Sequence, residues 1–185
     1  MQSSSWQRRL LSRFGPSIVG SILYAIGIVL TGILDIPGAA NVQVRPAVAI
    51  PIVCGAFFGP FAGFVSGFVG NLVADQVLGW GWWPFWYLGS GIIGLAPGLL
   101  RPTNADYTRL GTIGAVLLRA AIGITVGMAA AALSEHWVTR SSWDEVFWSN
   151  FLPAFLSNLV NAMILVPILL LLYGFFRDSA KQRTA

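Results

Sequence analysis

Apolar residues fill six long blocks of this chain, residues 16–34, 45–59, 61–78, 84–100, 111–133 and 149–175, with short polar segments between them. A helix that crosses a membrane needs about 20 mostly apolar residues, fewer where neighbours shield it. The pattern predicts an all-α membrane protein, a compact bundle of six transmembrane helices. The second block is short and meets the third at Gly59-Pro60, a tight turn that makes a helical hairpin. The sixth is long enough to tilt or to protrude.

Small residues recur within the blocks at helical spacing. The third carries Gly59, Gly63 and Gly67, and the same register continues into Asn71 and Asp75. The fourth carries Ser90, Gly94 and Gly98; the fifth Ala115, Gly123, Gly127 and Ala131, with Arg119 in the same stripe; the first Ser17, Ser21 and Ala25. Lipid offers helices no hydrophobic drive to associate, so close approach of backbones through small residues matters. Packing within the bundle accounts for most of these stripes, and one of them is free to serve another protein.

Composition agrees with a membrane solvent. Of 185 residues 56% are hydrophobic and only 10% are charged, and the mean hydropathy is +0.72. A soluble domain of this size carries roughly 25% charged residues. The whole of 1–185 reads as one transmembrane domain. The opening "MQSSSWQRRLLSRFGPS" is polar and basic, and the apolar run behind it is too long for a signal peptide and lacks an A-x-A exit. It is expected to lead into the first span from the cytoplasm.

With that start, the cytoplasmic ends hold Arg8, Arg9, Arg13, Arg101, Arg109, Arg177, Lys181 and Arg183, eight of the eleven basic residues. The outer loops hold Asp35, Glu135, Asp144 and Glu145, with Arg140 as the clear cation. Positive charge collects on the cytoplasmic side, so both termini are expected there, in a multi-pass protein of the cell membrane. The net charge of +4 is then a topology signal and requires no nucleic acid. The one cysteine, Cys54, excludes an internal disulfide and any cysteine-based metal cluster.

Polar groups are costly in hydrocarbon and usually face an interior or a cavity. Arg45 opens the second span; Asn71 and Asp75 lie near the end of the third; Asn150, Asn158 and Asn161 lie on the sixth. At 1.5 Å per residue, Asn158 sits roughly 13 Å and Asn161 roughly 18 Å below Ser149. Three helices thus gather polar groups in the outer half of the bilayer. Above them Trp80, Trp82, Trp83 and Trp86 crowd into seven residues, more than an interfacial aromatic belt requires. An outward-facing pocket is expected, lined by Arg45, Asn71, Asp75, Asn158 and Asn161 under a lid of Trp82, Trp83 and Trp86. Arg45 and Asp75 are expected to pair, either as a bridge between helices or while touching ligand. Arg119 is expected to snorkel or to cap neighbouring carbonyls.

No H-E-x-x-H, G-x-S-x-G or P-loop is present, so neither catalytic nor metal-binding residues are assigned, and no cofactor of this chain is expected. His136, beside Glu135, falls in an outer loop with a solvated role. Asp75 is the lone carboxylate within the spans, too few for a proton relay. A carrier with a pocket, no nucleotide site and no relay draws its energy from elsewhere.

The stretch "VQVRPAVAIPIVCGAFFGPFAGFVSGFVGNLVADQV", followed by "GWGWWPFWYLGSGIIGLAPGLL", resembles the substrate-binding S components of energy-coupling factor (ECF) transporters. The closest likeness is "FFGPFAGFVSGFVGNLVAD", and residues 44–98 carry the motif. Within those proteins it is similar to an uncharacterised branch with an Arg-Pro start to the second helix. The resemblance implies a six-helix bundle with cytoplasmic termini and a site near the outer face for a water-soluble vitamin or related micronutrient. It further implies a transmembrane coupling protein and two ATPase subunits as partners, with ATP bound there, and toppling of the S component to carry its ligand across. Small residues on the first helix then dock on the coupling protein; here they are Ser17, Ser21 and Ala25, with serines where alanines are typical. Two other classes stay open on the residues alone: a structural or assembly protein whose polar groups staple helices, and a small ion-coupled transporter acting by itself.

Overall fold

The computed structural model describes residues 3–32, 34, 43–101 and 105–182, with side chains from 14 to 177. Asp35 and Arg183, and the side chains of Arg8, Arg9, Arg13 and Lys181, lie outside the described residues. The described chain is all-helical: α1 (Ser3–Thr31), α2 (Ala49–Phe58), α3 (Pro60–Leu78), α4 (Pro84–Gly98), α5 (Leu110–Val138) and α6 (Leu152–Gln182). A 3-10 turn at Pro46–Val48 leads into α2, and a π-helical stretch at Glu145–Phe151 leads into α6.

Four helices are long and apolar enough to cross a membrane, over Phe14–Thr31, Pro60–Leu78, Leu110–Val138 and Glu145–Arg177. The other two blocks of the sequence pattern form shorter helices. α2 has 10 residues and α4 has 15, which at 1.5 Å per residue is about 15 Å and 22 Å against a hydrocarbon core of about 30 Å. The physical reason lies at their ends. Gly59, at φ +102°, stops α2, and Pro60 restarts the chain as the first residue of α3. α1 is longer than the apolar block, because its lead-in holds good helix formers, Gln7, Arg8, Arg9, Leu10, Leu11 and Arg13. α5 also overruns its block by one turn, so Glu135 and His136 are helical and not in a loop.

Glycine decides how the layers meet. A Cβ on Gly63 would lie 2.0 Å from the Gly94 carbonyl oxygen, and one on Gly94 would lie 2.1 Å from that of Gly63. Gly67 stands against the Ser90 carbonyl in the same way, and Gly55 against Gly94. On the other side of α4, Gly89 and Gly127 face each other, with α5 as close as side-chain-free backbones allow. Hence α4 sits between α3 and α5, and most of its middle is buried, including Gly89, Ser90, Gly91, Ile93 and Gly94.

Two cores result. Val48, Ile52, Ile93, Val116, Ile124, Val166 and Leu170 join α2, α4, α5 and α6. Tyr24, Ala25, Ile28 and Ala74 join α1 to α3. Large apolar residues also face outward, among them Ile18, Ile22 and Ile26 on α1, Leu118, Ile122 and Val126 on α5, and Val160, Ile164 and Ile168 on α6. Such a surface suits lipid. At the α4–α5 end of the bundle, Arg119 donates from Nη1 to the Pro97 carbonyl at 3.2 Å and the Leu99 carbonyl at 3.1 Å, closing the end of α4. There the Thr108 hydroxyl and N–H hold the Asp106 carboxyl below its ordinary range.

Candidate functional site

The opposite end of the bundle, where α3 passes to α4 and α5 to α6, is hollow. A cavity of about 490 Å³ opens there, within the 300–1,000 Å³ usual for small-molecule sites. Each wall is brought by a local device. α3 ends at Gly79 in the left-handed conformation (φ +71°), and the Trp80 N–H closes on the Asp75 carbonyl at 2.9 Å. The loop that follows is tied down through one hydroxyl: Tyr87 donates to the Gly81 carbonyl at 3.0 Å and accepts from the Trp83 N–H at 2.9 Å. The Trp83 indole donates to the Trp80 carbonyl at 2.8 Å. This fold-back sets Trp80, Trp83 and Trp86 on the cavity wall.

α5 contributes Met128 and Glu135, and Thr139 follows at its C-terminal cap. Glu135 is buried and accepts the Trp86 indole N–H at 2.6 Å and the Thr139 hydroxyl at 3.1 Å. Beyond α5, Ser142 and Glu145 bond each other's backbone N–H, at 3.2 Å and 2.8 Å, the reciprocal box that starts a helix. The π-helical stretch begins there and carries Asn150 to the cavity, followed by Ala154 and Asn158 on α6. From the other side, Arg45 and Gln43 complete the wall. Ser157 clamps them to α6: its hydroxyl accepts the Arg45 N–H and donates to the Gln43 carbonyl, each at 3.2 Å.

Of the residues expected at a pocket, Arg45, Asp75, Trp83, Trp86 and Asn158 line this cavity together, and Asn71, Trp82 and Asn161 do not. Asn71 is buried one step behind, accepting Arg45 Nη1 at 3.0 Å. Trp82 is 65% exposed and packs edge-on against Tyr87. Asn161 turns its amide back to the Ser157 carbonyl at 2.8 Å. The expected Arg45–Asp75 pair is not formed. Asn71 takes the guanidinium, and no Arg45 nitrogen comes within 4.0 Å of an Asp75 oxygen. Instead Asp75, 4% exposed, keeps its Oδ1 without a hydrogen-bond partner.

The expected pocket set did not include Gln43, Trp80, Met128, Glu135, Thr139 or Asn150, all of which stand on the wall. Glu135 was assigned to solvent because the apolar block stops before it. Its position seven residues after Met128, two helical turns on the same face, was the signal available.

The stripe expected to dock a partner lies on the inward side of α1. Ser17, Ser21 and Ala25 are buried inside the bundle. The Ser21 hydroxyl donates to the Ser17 carbonyl at 2.8 Å and to the Val65 carbonyl of α3 at 3.1 Å. Serine, unlike alanine, can bond a neighbouring backbone, and here it staples α1 to α3 and leaves lipid-sized side chains on the outward face.

The described residues thus form a helical bundle with four helices long and apolar enough to cross a membrane and a cavity at one end. The family model of the ECF-type riboflavin transporter S component matches residues 17–177, and the chain belongs to that family. A UPF0397 protein of Vibrio atlanticus (strain LGP32) is 31% identical over 134 residues, 70% of this chain and 72% of the relative. No solved structure matches. The family is one of transporter subunits and not of enzymes; its members bind the substrate in vitamin or micronutrient uptake, and this chain is a multi-pass membrane protein of that kind.

Proposed function

We propose that this chain is the substrate-capture subunit of an ATP-driven ECF-type importer. It binds a planar heteroaromatic micronutrient in the 490 Å³ cavity. The observation that carries the proposal is the buried, unpartnered Asp75 Oδ1 facing a ligand-sized space walled by three indoles. An orphaned buried acceptor costs about 1–3 kcal/mol, a cost that a bound donor would remove. Riboflavin, named in the description of the matching family, is one solute of this class.

The cavity end is the outer face, because Arg101, Arg109 and Arg177 stand at the other end. Both termini are then cytoplasmic, in the cell membrane. The chain has no nucleotide motif, so a transmembrane coupling protein and two ATPase subunits supply the energy, with ATP bound on them.

The direct test is mass spectrometry of small molecules retained after mild-detergent purification, repeated on Trp86→Ala. A planar ligand held by the wild type and lost from the variant is expected. Uptake that persists without any ATPase partner would instead identify a self-sufficient carrier. A well-folded protein that retains and binds nothing would leave the polar groups as staples between helices.

A further inference from the structure

Two carboxylates face the cavity, and among the described residues neither forms an ion pair within 4.0 Å. Asp75 has its Oδ1 buried and unpartnered. Among the described residues Glu135 is held by neutral donors, the Trp86 indole and the Thr139 hydroxyl. The guanidinium on the wall, Arg45, gives Nη1 to the neutral amide of Asn71 and forms no ion pair with either carboxylate. A buried charge is expensive unless it is paired. The remaining wall offers Trp80, Trp83 and Trp86, and indole faces attract cations through the ring quadrupole.

We propose that the cavity selects a ligand with a cationic nitrogen in or beside a flat ring, with Asp75 as its counter-ion. Glu135 fixes the Trp86 indole and adds negative charge to the same wall. This inference rests on the capture function proposed above and narrows it from any flat heteroaromatic solute to a positively charged one. A neutral ring fills the same space and leaves Asp75 uncompensated.

The test uses the full-length protein in lipid nanodiscs and two probes of nearly equal shape: 1-methylnicotinamide, which carries a ring cation, and neutral nicotinamide. Riboflavin serves as a larger neutral ring. Binding is read by tryptophan fluorescence. The cation is expected to bind about tenfold or more tighter than its neutral partner, the scale of one well-placed charge contact. Asp75→Asn, equal in shape, should erase most of that preference by weakening the cation far more than nicotinamide. Should Asp75→Asn fail to fold, Glu135→Gln, which still accepts from Trp86, should lower the preference by a smaller factor. Equal affinities for the two probes, or a preference untouched in both variants, would overturn the inference. Riboflavin binding that Trp86→Ala abolishes, with no binding of the cation, would sink the charge selection and keep the capture site. Failure of every ring to bind would sink both.

Discussion

The Trp86 indole N–H donates to Glu135 Oε1 at 2.6 Å, joining the first turn of α4 to the last turns of α5 at the cavity rim. The two residues stand 49 positions apart, and the bond defines the angle at which the indole faces the cavity. Glu135→Ala leaves that N–H without its acceptor, a loss of about 1–3 kcal/mol. Glu135→Gln keeps an acceptor oxygen in place. Thermal unfolding should therefore show Glu135→Ala clearly less stable than Glu135→Gln, with a change in indole fluorescence only in the former. Equal losses would mean that charge and not the hydrogen bond holds the rim.

Glycine at position 63 is required by backbone proximity. The Cβ of an alanine would lie 2.0 Å from the Gly94 carbonyl oxygen, and backbone cannot step aside as a flexible side chain can. Gly114 on α5 has nothing within 4 Å of the same probe position. Gly63→Ala should cost upward of the 1–3 kcal/mol typical of overpacking. Gly114→Ala should be neutral or raise stability by roughly 0.5–1 kcal/mol through helix propensity. Melting temperatures in one detergent compare them; a Gly63→Ala protein as stable as the wild type would mean that α3 and α4 can part without consequence.

Much of this architecture is legible in the chain itself. Apolar blocks, the Gly59-Pro60 break and the Gly63–Gly67 stripe are local signals, and they place helices and a close crossing without tertiary knowledge. Helix rotation is less legible. In lipid the outward face is as apolar as the core, so hydrophobicity does not say whether Ser21 points to α3 or to a partner. Loop direction is also hidden. Trp80 and Trp82 are equivalent in a pattern, yet the Tyr87 hydroxyl ties the loop so that Trp80 lines the cavity and Trp82 faces away. Arg45 and Asp75 were the natural ion pair by charge alone, and Asn71, a turn below Asp75, reaches the guanidinium instead.

The serine staple gives a third expectation. Ser21 is 6% exposed and bonded to the Val65 carbonyl. Ser21→Leu should destabilise the isolated protein by about 1–3 kcal/mol through overpacking, before any partner is present. Ile22→Ala, on the outward face of α1, should leave the isolated protein nearly unchanged. A Ser21→Leu protein that folds normally and only fails to assemble with the coupling subunit would restore this stripe as the docking surface.

Asn158 and Asn161 are separated by their surroundings. Asn158 lines the cavity, its amide donating to the Ala154 carbonyl at 2.8 Å and to Met128 Sδ at 3.3 Å, which leaves its oxygen for a ligand donor. Asn161 lies away from the cavity. Asn158→Ala should weaken binding of the retained ligand about three- to tenfold, the worth of one neutral hydrogen bond, while Asn161→Ala leaves it unchanged. Calorimetric titration of both variants decides. Equal effects would move the polar edge of the ligand away from α6.

Orientation is testable with single cysteines. In a Cys54→Ala background, Ser142→Cys places a thiol at the exposed start of the π-helical stretch, on the cavity side. Arg109→Cys places one at the other end, where the Arg109 side chain is 79% exposed and its ion pair with Asp106 is a surface contact of small worth. Arg101 and Arg177 remain to hold the topology in both variants. A membrane-impermeant maleimide applied to intact cells should label the thiol at 142 and spare the one at 109 until the membrane is opened. That outcome places the cavity toward the medium, as capture of an external solute requires. The reverse labelling would put the cavity on the cytoplasmic side, and an uptake protein could not then load from outside in this conformation.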